Sequence, residues 1–188
     1  MYDAIVLAGG AGRRLGGTDK PALDVGGASL LARVLDAAAG ATRIVVVGPQ
    51  REIAGRAVQW CQEQPPGGGP VAALATAAPH ISADTVLVLA ADLPWIAGAV
   101  PALLGAVPDS GAALLVDADG RVNNLAGAWR RAALLDALAG LGETRDASMR
   151  ALLRDVPQVL VRDVEGHGAD CDTWTDVEAA RRASTLRP

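Results

Sequence analysis

The sequence predicts an α/β protein with a doubly wound, mostly parallel sheet, helices on both faces and a small antiparallel addition in its second half. Three observations carry this expectation. Apolar runs of strand length alternate with stretches of helical period. Those runs are continuous rather than alternating, as strands buried on both faces are. The first run empties into a glycine-rich loop, and ligands of such folds gather at the carboxyl ends of strands.

Taken in order, Ala4-Ile5-Val6-Leu7-Ala8 reads as the first buried strand. After the glycine loop, Leu30, Leu31, Val34 and Leu35 fall on one face of a helix that begins near Ala28-Ser29, a plausible cap. Ile44-Val45-Val46-Val47 is a second strand, stopped by Gly48-Pro49, and Ala57-Val58-Gln59-Trp60 a weaker third. Gly67-Gly68-Gly69-Pro70 opens an alanine-rich helix over 71–78, and Thr85 to Ala90 is a fourth strand running towards Asp92. In the second half, Ala112 to Val116 and Leu125 to Trp129 flank the turn Asp117-Ala118-Asp119-Gly120 and suggest an antiparallel hairpin. Leu134, Leu135 and Leu138 mark a helix; Met149, Leu152 and Leu153 mark another. Val159-Leu160-Val161 is a late strand and 175–183 a closing helix. Without repeat, linker or composition break, residues 1–188 read as one domain.

Composition narrows the function. A net charge of −4 argues against a nucleic-acid surface, and four tryptophans without a phenylalanine do not make a base-stacking platform. Asp92 and Pro94 interrupt the longest apolar run, so no membrane span is expected. The N-terminus lacks the layout of a signal peptide, and Cys61 and Cys171 form neither a zinc nor a disulfide pattern. A cytoplasmic protein is expected.

The loop Gly9-Gly10-Ala11-Gly12-Arg13-Arg14-Leu15-Gly16-Gly17-Thr18-Asp19-Lys20-Pro21 is built for an anion. Its glycines let backbone N–H groups approach phosphate oxygens, and Arg13, Arg14 and Lys20 supply positive charge. Lys20 is the only lysine among 17 basic residues, although lysines are ordinarily solvated surface residues. A P-loop is excluded, because Lys20 is followed by Pro21 and not by a hydroxyl. Gly10-x-Gly12-x-x-x-Gly16 approximates a dinucleotide fingerprint with its last glycine one place late, which leaves a dinucleotide-binding oxidoreductase as a competing reading.

Two carboxylate elements complete the picture. Asp92, in Ala90-Ala91-Asp92-Leu93-Pro94, stands at a strand's carboxyl end and suits a magnesium ligand, or alternatively a helix cap. Asp170-Cys171-Asp172-Thr173 precedes the last helix, where Asp172 or Thr173 could equally serve as a cap.

From Leu7-Ala8-Gly9-Gly10 through Arg14, Gly16, Gly17, Asp19 and Lys20 the chain resembles the MobA-like nucleotidyltransferases, the family of molybdenum cofactor guanylyltransferase. The resemblance implies magnesium-dependent transfer of GMP from GTP to molybdopterin or the molybdenum cofactor. It also implies transient contact with other cofactor-biosynthesis or acceptor proteins. By it, Lys20, Arg14 and Asp92 are catalytic. Leu7, Ala8, Gly9, Gly10, Gly12, Arg13, Lys20, Glu63, Gly69, Pro70 and Asp92 bind the nucleotide, and Asp92 with Asp172 holds the metal, Asp170 being the alternative. Gly9, where cytidine-using relatives carry Ala, implies guanine. Gly69-Pro70-Val71-Ala72-Ala73 resembles the family's base-side segment with Val71 and Ala73 in place of Leu and Gly. The acceptor region departs more, since Val122-Asn123-Asn124-Leu125 stands where many members have His-Pro-Leu, so another phosphorylated acceptor is the alternative within the same chemistry.

Overall fold

The computed structural model describes residues 1–10, 15–53, 55 and 57–185. Nine strands and six α-helices follow one another among them: β1 (Asp3–Leu7), β2 (Asp24–Val25), β3 (Ala28–Ser29), α1 (Leu30–Ala37), β4 (Arg43–Val47), β5 (Gln59–Cys61), α2 (Gly69–Ala77), β6 (Thr85–Ala90), α3 (Val100–Ala106), β7 (Ala112–Val116), β8 (Val122–Arg130), α4 (Arg131–Leu141), α5 (Met149–Leu152), β9 (Gln158–Arg162) and α6 (Trp174–Ser184).

Seven strands form one sheet in the order β5-β4-β1-β6-β8-β7-β9, and β2 with β3 forms a separate hairpin. Because β1 pairs in parallel with β4 on one side and β6 on the other, the loops after all three leave the same edge of the sheet. In the large sheet β8 alone runs against its neighbours, β6 and β7, and β9 returns to the parallel direction beside β7. The expected α/β architecture with an antiparallel addition is therefore present.

Alternation along each strand divides the core in two. Ala4, Val6, Ile44, Val46, Leu87 and Leu89 face α1 and α3, while Ile5, Leu7, Val45, Val47, Val86 and Val88 face α2, α4 and α5. This is the physical content of the continuous apolar runs: both faces are covered, so neither needs polar residues. Ile5 is fully buried at the middle of this arrangement, where truncation to Ala typically costs about 2–5 kcal/mol.

The helix starts follow local chemistry. Ser29 Oγ accepts from the N–H of Ala32 at 3.1 Å and caps α1. Gly69 has φ +86°, a conformation suited to glycine, and Pro70 then occupies the first turn of α2, where its missing N–H is harmless.

Three features differ from the sequence expectation. The third strand covers Gln59–Cys61 and not 57–60, because its extent is set by pairing with Val45, Val46 and Val47 of β4. Helix α3 was not expected; Pro101 and Gly105 hide its period, but a proline is tolerated in a first turn. The β2–β3 hairpin was also not expected. Gly26 and Gly27, at φ +64° and +84°, make its two-residue turn, and Val25 and Leu30 join Cys171, Val177 and Ala180 in a small third core under α6. Among the described residues no helix is long and apolar enough to cross a membrane.

Candidate active site

The carboxyl ends of β1 and β6 open into a cavity of about 640 Å³. Leu7, Gly9 and Gly10 line it from the first strand end, Ala90, Ala91 and Asp92 from the other, Lys20 and Pro21 from the short turn that follows, and Glu63, Gly69, Pro70 and Ala73 from the α2 side. Asp172 reaches in from the loop before α6. Residues far apart in the chain thus meet at one point. Ala8 does not line the cavity: its side chain is buried in the core, and its N–H donates to Val47 O at 2.8 Å. Gly12, Arg13 and Arg14 lie outside the described residues.

At the centre is an ion cluster. Lys20 Nζ donates to Asp92 Oδ2 and, at 2.5 Å, to Asp172 Oδ1. Burial works against the ammonium, but the charge of Asp92 and the hydrogen bonds to both carboxylates outweigh it and raise the Lys20 pKa above its ordinary value. Burial first, and then the nearby carboxylates of Asp172 and Asp92, raise the pKa of Asp170. Burial likewise pushes the Cys171 thiol up to about 12, so this cysteine is a packing residue rather than a nucleophile.

Each member is held by a different element. Lys20 opens a short 3₁₀ turn, Lys20–Ala22, whose Pro21 is buried. Asp92 stands two residues beyond the end of β6, and its backbone carbonyl accepts from the N–H of Cys171 at 3.1 Å. Cys171 is buried in the small third core, so the α6 loop is stitched to the β6 loop and Asp172 is delivered to Lys20.

The competing cap assignments are resolved by geometry. Thr173 is the N-cap of α6 and forms a capping box with Asp176, so Asp172 is not needed there. The short 3₁₀ turn at Ile96–Gly98 starts from Trp95 without a side-chain cap, so Asp92 is not a cap either.

The residues fit a magnesium ion. Asp92 Oδ1 is buried and has no hydrogen-bond partner among the described residues. Two carboxylates share one cation at this point, and magnesium characteristically takes one or two carboxylates together with phosphate oxygens and water. Among the described residues no three His, Cys, Asp or Glu side chains converge into a cage made by the protein alone.

Other expected contributors have mixed roles. Glu63 Oε1 accepts from the N–H of Gly67 at 3.0 Å and holds the turn that presents Gly69 and Pro70. Ala73 lines the cavity, whereas Val71 is buried in the core, so only the first of these substitutions adds a methyl group to the pocket wall. A β-carbon built at Gly9 meets nothing nearer than Val47 O at 4.0 Å, which leaves the position open towards the cavity.

His80 and His167 line neither this cavity nor the next: a ring nitrogen of His80 lies 2.8 Å from the Gln59 amide, and His167 donates its backbone N–H to Asp163.

A second cavity, of about 840 Å³, adjoins the first and shares Gly69, Pro70 and Leu125 with it. Its wall carries Arg121, Asn123, Asn124, Asp146 and Asp170. Asn123 is already committed, its Nδ2 donating to Gly168 O at 3.0 Å and its Oδ1 accepting from Leu125 N at 3.0 Å. Sequence reasoning missed Arg51, which joins the loop after β4 to Asp19 and to the carbonyl of Ala8. Its position just beyond a parallel strand was the available signal.

Residues 4–161 match the model of the MobA-like NTP transferase domain. A probable molybdenum cofactor guanylyltransferase of Synechococcus elongatus is 41% identical over 103 residues, covering 51% of this chain and 53% of that protein, so the chain spans about half the length of that relative. A molybdenum cofactor guanylyltransferase of Cereibacter sphaeroides is 32% identical over 149 residues, 75% of this chain and 76% of that one. The solved structure of a nucleotidyl transferase from Methanothermobacter thermautotroptrophicus superposes with a TM-score of 0.84 over 100% of this chain and 99% of that one, at 20% identity, a likeness of fold.

Proposed function

The chain belongs to the MobA-like NTP transferase domain family, and on that premise we propose that it is a magnesium-dependent nucleotidyltransferase which joins GMP, taken from GTP, to molybdopterin or its molybdenum form. The observation that carries the reading is the meeting of Lys20, Asp92 and Asp172 at a cavity that Gly9 and Gly10 also line. Both sequence relatives are named as guanylyltransferases of the molybdenum cofactor, which supports this donor and this acceptor.

The reaction is an in-line displacement. An oxygen of the acceptor's phosphate bonds to the α-phosphorus of GTP, the bond from that phosphorus to the α–β bridging oxygen breaks, and pyrophosphate leaves with the electron pair. The acceptor oxygen is already ionised, so no protein nucleophile or base is needed, and the enzyme's work is placement and charge neutralisation. Gly9 and Gly10 line the cavity and would offer backbone N–H groups to the triphosphate, and Lys20 carries the ammonium that would neutralise its oxygens and those of the departing pyrophosphate. Asp92 and Asp172 would hold magnesium, which supplies positive charge to the phosphate oxygens when bound. Gly9 leaves room for the larger base, and the acceptor enters from the second cavity across Gly69, Pro70 and Leu125.

Another phosphorylated acceptor is the second reading. It is favoured by the second cavity, where Asn123 is tied to Gly168 and Leu125 while Asn124 and Arg121 stand at the wall. Incubation with each nucleoside triphosphate, magnesium and molybdopterin, followed by pyrophosphate release, tests both. Release with GTP that depends on molybdopterin is expected. Release that needs a different phosphorylated acceptor would select the second reading, and no release with any triphosphate would refute nucleotidyl transfer.

A further inference from the structure

We infer that Arg51 is the positioning residue of the glycine loop, a clamp that fixes Lys20 and Gly9–Gly10 relative to one another without itself touching substrate. Its guanidinium binds three segments at once. Nε donates to Asp19 Oδ2 at 2.9 Å and Nη2 to Asp19 Oδ1 at 2.5 Å, while Nη1 donates to the carbonyls of Ala8 at 3.1 Å and Pro49 at 2.9 Å. Asp19 immediately precedes Lys20 and Ala8 immediately precedes Gly9, so one planar group spans both sides of the loop.

An ion pair at a surface is usually worth little, and Asp19 is about half exposed. Arg51 differs from such a pair in being only 16% exposed and in spending its remaining donors on two backbone carbonyls. Backbone contact reinforces the grip. Gly48, at φ +143°, lies so close that a β-carbon there would stand 2.7 Å from Ala8 C and 2.8 Å from Gly9 N. Gly48 thus packs directly against the backbone at Ala8 and Gly9. Neither Arg51 nor Asp19 lines the cavity, which is why their action must pass through Lys20 and the backbone.

The clamp has a signature of its own, and only its effect on nucleotide rests on the nucleotidyltransferase reading. The amides of Ala22 and Leu23 donate to the carbonyls of Asp19 and Lys20 and report on the order of this turn. In full-length Arg51→Gln their hydrogen exchange should accelerate about tenfold or more, while amides of Ile5 and Val88 in the sheet keep their wild-type rates. With magnesium present, Arg51→Gln and Asp19→Asn should each weaken GTP binding roughly tenfold, and the double variant should be no weaker than either single one. Arg51→Lys, which cannot reach all three acceptors, should fall between wild type and Arg51→Gln. Wild-type exchange at Ala22 and Leu23 in Arg51→Gln, acceleration throughout the sheet, or additive losses in the double variant would each overturn the clamp. Loosening of Ala22 and Leu23 in a protein whose wild type binds no nucleoside triphosphate would uphold the clamp and refute the function proposed above.

Discussion

The two adjoining cavities are made of similar residues put to opposite uses. Around Lys20 the polar side chains belong to three distant elements and pair with one another across open space, leaving Asp92 Oδ1 without a partner among the described residues. Around Asn123 they are consumed by their own backbone. Asp163 accepts from the N–H groups of His167 at 2.9 Å and Gly168 at 2.7 Å, Asp117 Oδ1 accepts from those of Asp119 and Arg121, and Ser148 caps α5. The ammonium and carboxylates at the first cavity pair with one another across it, whereas Asp163, Asp117 and Ser148 at the second build the wall. An acidic residue beside a pocket is therefore no guide to chemistry until its partners are known.

Substitutions on each side sharpen this contrast. The largest effect is expected at Asp92. Asp92→Asn should lower magnesium-dependent turnover more than a hundredfold while leaving the melting temperature almost unchanged, because the lost charge faces the cavity and not the core. An active Asp92→Asn protein with an unchanged magnesium requirement would break the comparison at its centre. Lys20→Ala comes next. Loss of charge-assisted contacts of about 1.5–3 kcal/mol should reduce GTP binding or turnover ten- to hundredfold in a folded protein, as titration calorimetry and steady-state rates would show.

Asp163 should give the reverse signature. Asp163→Ala strips the acceptor from two half-buried N–H groups and should cost about 1–3 kcal/mol in denaturant unfolding, with GTP affinity retained. Its pH dependence follows in sign. Burial opposes the Asp163 carboxylate, but the N–H groups of Gly168 and His167 outweigh it and lower the folded pKa below the ordinary 3.8. The stabilisation is fully present above that ordinary value and is lost as pH falls through it towards the lowered folded value. Wild type should therefore lose more stability than Asp163→Ala on acidification below about pH 4. The smallest effect is expected at Gly9, where an added methyl group enters the cavity without meeting backbone. Gly9→Ala should weaken GTP more than CTP by roughly three- to tenfold; equal losses would move base choice to Gly69-Pro70.

Sequence was most legible where structure is local. Strands β1, β4 and β6 were plain because each is a continuous apolar run, and α1 because Ser29 sits before a 3.6-residue period. Lys20 and Asp92 were singled out by a strand-to-loop transition next to each. Less was visible where partners decide. β5 is as long as its pairing with β4 allows, α3 is short and contains Pro101 and Gly105, and the β2–β3 hairpin owes its stability to α6 more than to its own four residues. For Asp172 the residues alone favoured a cap and only the family resemblance a metal ligand, and in the structure Thr173 takes the cap. Arg51 was passed over because its partners are 32 and 43 residues away.

The two ends of the ion cluster, Lys20 and Asp172, are 152 residues apart in the chain. At ~5–20 residues per second a ribosome needs about 8–30 s to travel from one to the other. Throughout that interval β1 and Lys20 exist without the carboxylate that completes the cluster, and Val25 of the hairpin and Leu30 of α1 wait for Cys171, Val177 and Ala180 to cover them. The sheet, whose last strand ends at Arg162, can be paired before the loop carrying Asp172 is made. The carboxylate that completes the ion cluster is thus made after every strand of the large sheet.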